Sequence, residues 1–235
     1  MNKRLFRLLT VAVLFVATGF PAKAQDARIA IVNANVFDGV NERIFENRIV
    51  LVSNGQIERI QSADTDIGQG YEIVDAEGFF LMPGLFDVHT HINSLDQARR
   101  ALESGVTTIR TASVPAYQDV AMRELVRSGQ LAGPDVLAAG VFVTPDLGQT
   151  VLADPRLAPL HAGVMSDEAL RQVVRINADR GVDVIKTRGT QRAGLPDTDP
   201  RQQVYTERQL RVIVEEAAKF DIPVMVHAHG DEGAR

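Results

Sequence analysis

Two pairs of histidines are the residues of this chain that most clearly could do chemistry. The segments His89-Thr90-His91 and His227-Ala228-His229 each follow a short apolar run, and together they hold four of the five histidines. Alternate residues of a strand point to the same face, so each pair can direct two imidazoles toward one point. A single His-x-His is more often two hydrogen-bonded histidines at a strand end. Two such pairs in one chain favour a divalent metal site.

Lys186 is the third candidate, because it ends the apolar run of residues 182–185. Burial disfavours a charged lysine, which lowers its pKa and makes the neutral amine available. A lysine that extends its ammonium to solvent, or one that forms a Schiff base, would be equally consistent with this position. The fifth histidine, His161, lies in a long loop at residues 144–164 and is expected to be exposed or locally hydrogen-bonded. Such a loop is either functional or a loosely defined surface excursion.

Strand-like and helix-like segments alternate after residue 84. Continuous apolar runs of this length are typical of strands that are buried on both faces. Helix-capping residues precede amphipathic stretches at Ser94, Ser166 and Thr206. Strands that alternate with helices predict βαβ units and a parallel sheet, hence an α/β fold. The apolar runs are residues 85–88, 106–109, 136–139, 182–185 and 222–226.

Residues 28–75 have a different pattern, with short β-branched runs separated by turn dipeptides. The Asn54-Gly55 pair lies between residues 49–52 and 56–60, and this arrangement predicts a β-hairpin. We therefore expect a small all-β unit ahead of the α/β region.

The segment from Leu81 to His91, LMPGLFDVHTH, resembles the signature of the amidohydrolase superfamily. More narrowly, it is similar to the branch that includes imidazolonepropionase and the Xaa-Pro dipeptidases. The resemblance extends from about Ala30 to the last residue. Weaker motifs follow in the order that the family has them, namely GVTTIR at residues 105–110, DVIK at 183–186 and HAHG at 227–230.

This resemblance implies a TIM-type (β/α)8 barrel flanked by part of a small β-sandwich. It implies that His89 and His91 bind one metal ion, that Lys186 is carboxylated and bridges two ions, and that His227 binds the second. His229 would contact substrate or a neighbouring loop, and Asp87 would support the first strand end without being a ligand. The implied cofactor is one or two divalent ions, with zinc expected. The implied reaction is hydrolysis of a carbon–nitrogen bond in an amide, cyclic amide or peptide through a metal-bound hydroxide.

The sequence predicts three segments. Residues 1–24 have a basic start, an apolar run and a small-x-small site, which is the pattern of a cleavable signal peptide and indicates a secreted or periplasmic protein. A retained N-terminal anchor is the alternative. Residues 25–80 would form the N-terminal part of the sandwich, and residues 81–235 the first five β/α units of the barrel.

Eight residues follow His227, too few for another strand and helix, so we expect an incomplete barrel. The family's strand-six histidine and strand-eight aspartate, the usual proton shuttle, have no counterpart, and no catalytic base is therefore assigned. Thr111 also stands where related chains usually have an aspartate. Three hypotheses follow: part of a metal-dependent hydrolase, a catalytically inactive truncated fragment that at most binds metal, or a remnant that needs another chain to complete its sheet.

Composition limits the partners. The chain of 235 residues has a net charge of −5. Cleavage of the signal peptide would remove four basic residues, Lys3, Arg4, Arg7 and Lys23, and no acidic ones. The remaining chain would have 21 of the 25 Lys and Arg residues and all 30 Asp and Glu residues. An acidic protein of this kind is a poor partner for nucleic acid or anionic membranes. With no cysteine, a metal must be held by histidine, carboxylate or modified lysine. We expect a small-molecule or peptide-like substrate and no stable membrane span, and a homo-oligomer stays open.

Overall fold

The computed structural model describes residues 28–194 and 196–234, and the chain divides into two compact units at Pro83 and Gly84. Both units contain strands, and the second combines them with helices, so the fold is mixed α/β as predicted. The predicted signal peptide lies outside the described residues. In the part of the chain that the structure describes, no helix has the length and apolarity that a bilayer span requires.

The first unit is a five-stranded sheet. Its central strand β1 pairs with β2 antiparallel and with β4 and β5 parallel, and β2 pairs with β3. The Asn54-Gly55 turn joins β2 to β3 antiparallel, which confirms the predicted hairpin. Asn54 and Gly55 both have positive φ, the backbone conformation that such a tight turn requires. The strands are Arg28–Val36 (β1), Phe45–Ser53 (β2), Gln56–Ser62 (β3), Glu72–Asp75 (β4) and Phe80–Leu81 (β5).

The second unit alternates strands and helices. Its strands are Leu85–Thr90 (β6), Val106–Thr111 (β7), Asp135–Leu137 (β8), Ile185–Arg188 (β9) and Val224–His227 (β10). Its α-helices are Leu95–Glu103 (α1), Gln118–Arg127 (α2), Asp167–Asp179 (α3), Glu207–Ala218 (α4) and Asp231–Ala234 (α5). The five strands are those expected from the apolar runs, although β9 begins three residues after the start of its run. Residues 183 and 184 form a bend ahead of β9, and the N–H groups of Asp183 and Val184 both donate to Ala138 O.

All strand pairs of this unit are parallel, as βαβ connections require. β6, β7 and β8 form one sheet in that order, and β9 pairs with β10. A single parallel bridge between Val143 and Thr187 continues the pairing from the segment after β8 to β9. The carboxyl ends of these parallel strands therefore lie along one edge, which is where α/β proteins place their active sites.

Local signals set the helix starts. The side chain of Ser94 accepts from Gln97 N, and that of Ser166 accepts from Ala169 N. Thr206 and Gln209 form a full capping box, in which each side chain accepts from the other residue's backbone N–H. These contacts confirm the three predicted N-termini.

The prediction that every strand is buried on both faces is wrong for β6. Phe86 is 71% exposed and Val88 is 55% exposed, whereas Ile185 of β9 is fully buried. Within the described residues β6 pairs only with β7, so it is an edge strand that lacks a neighbour on its other side. Strand burial depends on neighbours that an apolar run does not specify.

The loop at residues 144–164 is packed against the unit. It contains two 3₁₀ helices, Gly148–Ala153 and Pro155–Ala162, and Leu157 within the second is fully buried. Asp154 joins the two helices. Its buried carboxylate accepts from Arg156 N at 2.9 Å and pairs with the side chains of Arg156 and Arg180. The interpretation of this loop as a loosely defined excursion is therefore wrong.

Asp154 makes this loop sensitive to acid. The pKa of Asp154 is held far below its usual range, mainly by the side-chain hydrogen bonds that Arg156 donates to its carboxylate. A carboxyl group whose pKa is lowered by folding stabilises the folded state at pH values above its unfolded-state pKa of about 3.9. This stabilisation is lost as pH falls. We expect Asp154→Asn to lower the free energy of unfolding by about 1–2 kcal/mol at pH 7. Urea denaturation from pH 7 to pH 2 measures the difference in the free energy of unfolding between the two proteins, and this difference should narrow as pH falls below about 4. A difference that stays constant with pH would contradict this account.

Candidate metal centre

Three strand ends meet at one small cavity in the second unit. β6 contributes His89, β9 contributes Lys186 and β10 contributes His227, while His91 follows β6 directly. All four side chains line the same cavity of about 130 Å³. The site therefore combines residues that are far apart in the sequence and adjacent only because parallel strands end at one edge.

The imidazole rings lie close together around this cavity. The ring centroid of His89 lies 5.7 Å from that of His91 and 6.4 Å from that of His227. With Zn–N bonds of about 2.0–2.1 Å, two rings on one tetrahedral ion have centroids about 5 Å apart, so these rings are spaced more widely than a single ion would hold them. Among residues 28–194 and 196–234, no three His, Cys, Asp or Glu side chains are grouped closely enough to hold a metal ion. The cavity wall also contains Lys186, which is not one of these residue types.

Three buried atoms of the residues that line this cavity have no hydrogen-bond partner, namely Lys186 Nζ, His227 Nε2 and Arg188 Nε. Buried polar atoms are nearly always satisfied in folded proteins, so these unpartnered atoms favour a ligand in this cavity. Burial, with smaller contributions from Arg110 and Arg188, lowers the pKa of Lys186 to about 8. Burial also lowers the pKa of His89, and together with His229 and Lys186 it lowers that of His227 to about 4. The two imidazoles are therefore neutral at pH 7, the form that binds metal.

The ring of His91 is held by the segment that follows β7. Its Nδ1 lies 2.9 Å from Ser113 O, which accepts the Nδ1 proton and leaves Nε2 for a ligand. Ser113 Oγ in turn donates to Gly140 O at 2.9 Å. Ser113, Ala116 and Tyr117 all have positive φ, a conformation that costs non-glycine residues free energy and is concentrated at functional sites.

His229 and Asp87 stand outside the cavity wall. The His229 ring packs edge-on against that of His227, with centroids 4.4 Å apart, and the backbone N–H of His229 donates to Thr190 Oγ1. Asp87 Oδ1 accepts from His89 N at 3.1 Å. The roles expected for these two residues stay predictions. Val226 and Ala228 line a different groove of about 460 Å³ that none of the histidines reaches.

Asp119 explains how the chain accommodates Thr111. Thr111 Oγ1 donates to the fully buried Asp119 Oδ2 at 2.6 Å, and the same oxygen accepts from Ala139 N at 2.8 Å and Gly140 N at 2.9 Å. Asp119 of α2 thus places a buried carboxylate directly beside Thr111. Sequence reasoning missed Asp119, because nothing local distinguishes it from any helical aspartate.

The cavity is also lined by three residues that the sequence analysis did not single out, namely Phe142, Arg188 and Arg192. Arg188 was detectable in principle, because it lies two positions after Lys186 on the same strand and must share its face. The Arg188 guanidinium carbon lies 4.6 Å from the centre of the Phe142 ring, and Lys186 Nζ lies 5.9 Å from it. Phe142 therefore packs beside both cationic side chains.

The fold and the strand-end residues agree with a protein-family comparison. Residues 80–235 match the model of the amidohydrolase family, which covers well over half of the chain. The chain belongs to this family. Its fold is similar to those of prolidases of known structure.

The similarity to individual relatives extends over both units of the chain. The chain is 25% identical to the ochratoxinase of Aspergillus niger across 90% of its own length and 52% of that protein. A putative prolidase from Bifidobacterium longum is 29% identical with a TM-score of 0.73, across 89% of this chain and 51% of that one. A Xaa-Pro dipeptidase crystallised with methionine in its active site has a TM-score of 0.76 and 22% identity, across 88% of this chain and 58% of that one. The chain spans about half the length of these relatives.

Proposed function

We propose that this chain carries the metal-binding part of a metal-dependent hydrolase that acts on carbon–nitrogen bonds in amides, cyclic amides or peptides. The single observation that carries the proposal is the convergence of His89, His91, Lys186 and His227 on one cavity, with Lys186 Nζ and His227 Nε2 buried and unpartnered. The hydrolytic names of the relatives, a prolidase and an ochratoxinase, support the same reaction class.

The residues present fit one or two divalent ions. His89 and His91 would hold one ion and His227 a second, with zinc as the expected metal in view of the nitrogen-rich ligands. When bound, such an ion lowers the pKa of a water to about 7 and polarises a carbonyl, which is the chemistry that amide hydrolysis needs. The chain's own contribution is to keep the imidazoles neutral by burial and to orient His91 through Ser113 O.

Lys186 would bridge the two ions as a carbamate. The neutral Nζ uses its lone pair to form a bond to the carbon of CO₂, and the amine then releases one proton to solvent. The product is an anionic carbamate on Lys186, and its two oxygens can each bind an ion in the buried cavity. Full burial of the side chain and the absence of any partner for Nζ support this assignment.

We propose that the second unit belongs to a (β/α)8 barrel of the amidohydrolase type and that β6 to β10 are the first five strands of this barrel. Their parallel order and the alternation with helices support this correspondence. The substrate would be a small molecule or short peptide, since the relatives named above are a prolidase and a dipeptidase.

A second candidate is a chain that binds metal and performs no hydrolysis. The observation that favours it is the composition of the cavity wall, which includes no carboxylate among the described residues. Amide hydrolysis needs a group that takes a proton from water and passes it to the leaving nitrogen, and its loss lowers the rate by about 10²–10⁴-fold. Metal retention without turnover of any amide or peptide tested would support this candidate.

The metal assignment predicts a loss of bound ion. We expect the double substitution His89→Ala/His91→Ala to remove most of the zinc that co-purifies with the protein, because it deletes both ligands that β6 presents. Elemental analysis of the purified proteins by mass spectrometry measures the metal-to-protein ratio directly.

His161→Ala is the matched control, since this histidine is exposed and its Nδ1 bonds only to Ala158 O nearby. Its metal content should equal that of the wild type. Unchanged zinc in the double variant, with circular dichroism showing a folded protein, would refute the metal site.

A further inference from the structure

The end of β10 is held by a hydrogen bond that a regular strand pair would not contain. β9 and β10 pair in parallel, and their ladder runs as far as the bond from Gly189 N to His227 O at 2.8 Å. A regular parallel ladder would continue with a bond from His229 N to Gly189 O. Gly189 O accepts from Val204 N instead, at 2.8 Å, and His229 N donates to Thr190 Oγ1 at 2.9 Å. The threonine hydroxyl thus takes the place of a backbone carbonyl.

The competing bond comes from the loop of residues 189–204, which leaves β9 and returns beside it. Thr190 and Gln203 form an antiparallel bridge between the two ends of this loop. Arg192, within the same loop, lines the metal cavity. The loop and the end of β10 therefore need the same carbonyl as an acceptor. Because the hydroxyl of Thr190 supplies a second acceptor, the end of β9 can hold both neighbours at once.

Close packing keeps Thr190 in place. The residue is fully buried, and a β-carbon on Gly233 of α5 would lie 2.4 Å from Thr190 Cγ2. A β-carbon on Gly189 would lie 2.6 Å from Gly233 O. Real β-carbons essentially never approach another atom within 3.0 Å, so this packing requires glycine at both positions. The threonine methyl group is therefore enclosed by backbone, and the hydroxyl stays directed at His229 N.

We propose that Thr190 is a positioning residue of the metal centre, because its hydroxyl sets the backbone direction beyond His227 and so keeps that imidazole turned to the cavity. β10 ends at His227, and the rings of His227 and His229 are in edge-on contact with centroids 4.4 Å apart. A shift of His229 N is therefore passed to the His227 ring. This inference rests on the proposed function for the metal, whereas the placement of the ring can be measured without metal.

The first measurement follows the histidine rings by ¹H–¹⁵N NMR in protein freed of metal by a chelator. Valine keeps the shape of threonine but cannot accept a hydrogen bond. Thr190→Val should therefore shift the ring signals of His227 and His229 and leave those of His91 and His161 at their wild-type positions. Thr190→Ser keeps the hydroxyl and should restore the wild-type signals. Unmoved His227 signals in Thr190→Val would overturn the inference.

The second measurement is the affinity for zinc, which is titrated into the same metal-free proteins by isothermal titration calorimetry. We expect Thr190→Val to weaken binding by about tenfold, which is typical when a group that orients a metal ligand is removed. Thr190→Ser should bind zinc as the wild type does. Gly233→Ala should cause a loss similar to that of Thr190→Val, because the added methyl group displaces Thr190 without removing its hydroxyl.

Thr187→Val is the matched control. Thr187 is a fully buried threonine of the same strand, and its hydroxyl donates to Val143 O, on the side of β9 opposite to β10. In urea denaturation it should lower stability about as much as Thr190→Val does, but it should leave zinc affinity and the His227 signals unchanged. Equal losses of zinc affinity in the two valine variants would give Thr190 a purely structural role and overturn the inference.

The two measurements also separate this inference from the proposed function. A wild-type protein that binds no zinc, in which the His227 signals still respond to Thr190→Val and recover in Thr190→Ser, would refute the proposed function and leave the positioning of this ring standing. A wild-type protein that binds zinc, with unchanged affinity in Thr190→Val, would refute the positioning role alone.

Discussion

Under the proposed function, replacing Lys186 by alanine is expected to remove the ligand that bridges the two ions and to lower the rate of hydrolysis of an amide or dipeptide by about 10³-fold or more. Lys186 is 1% exposed, and its Nζ has no hydrogen-bond partner within the described structure. We expect the metal-to-protein ratio to fall in parallel, because two ions without a bridging anion repel each other in a small cavity.

The same variant offers a sharper test through chemical rescue. Alanine leaves a space where the lysine stood, and a small carboxylic acid such as acetate or propionate can enter it and supply the two missing oxygens. Added acetate should therefore restore bound metal in Lys186→Ala. Lys186→Met is the matched control, because it lacks the amine but fills the space, and acetate should have no effect on it.

Labelling with ¹³CO₂ follows the modification itself. A carbamate carbon resonance should appear in the wild-type protein and be absent from Lys186→Met. A Lys186→Ala protein that keeps its full metal content and activity without added acid would show that the lysine is not a ligand.

Removing the Asp119 carboxylate is expected to cause the largest loss of stability. Asp119→Ala leaves the buried N–H group of Gly140 without its acceptor, while the N–H group of Ala139 keeps only Thr111 Oγ1 at 3.0 Å. A buried donor that loses its partner costs about 1–3 kcal/mol, and the charge-assisted bond from Thr111 is lost as well, so we expect the free energy of unfolding to fall by about 2–4 kcal/mol. Urea denaturation followed by circular dichroism measures this change.

The control for Asp119→Ala is Asp135→Ala, the same chemical change at an exposed position where β8 begins. Its effect should stay within about 0.5 kcal/mol, as for most surface substitutions. Asp119→Asn should give an intermediate loss, because the amide oxygen still accepts from the backbone. A loss of under about 1 kcal/mol in Asp119→Ala would show that water replaces the carboxylate and that the network is not needed for folding.

Asp119 also connects stability to the site. Its oxygen fixes Gly140 N, and Gly140 O accepts from Ser113 Oγ, while Ser113 O orients His91. The segment between β7 and α2 has three residues with positive φ, and this network holds it in that strained form. We therefore expect Asp119→Ala to weaken metal binding as well, which a purely local defect in the core would not do.

The sequence alone determined the features that depend on near neighbours. The caps at Ser94, Ser166 and Thr206 and the Asn54-Gly55 turn were predictable, because each is specified by residues within three or four positions of it. The two His-x-His segments could be located for a similar reason, since the alternation of a strand by itself puts both side chains on one face.

Only the tertiary structure decided which of these residues meet. The exposure of β6, the support of Thr111 by Asp119 and the presence of Arg188 on the cavity wall all depend on contacts between residues that are distant in the chain. The same holds for the positions of the second pair, in which His227 lines the cavity and the ring of His229 packs against that of His227. A sequence pattern specifies the face of a strand, but the neighbours of that face are set by how strands and helices pack.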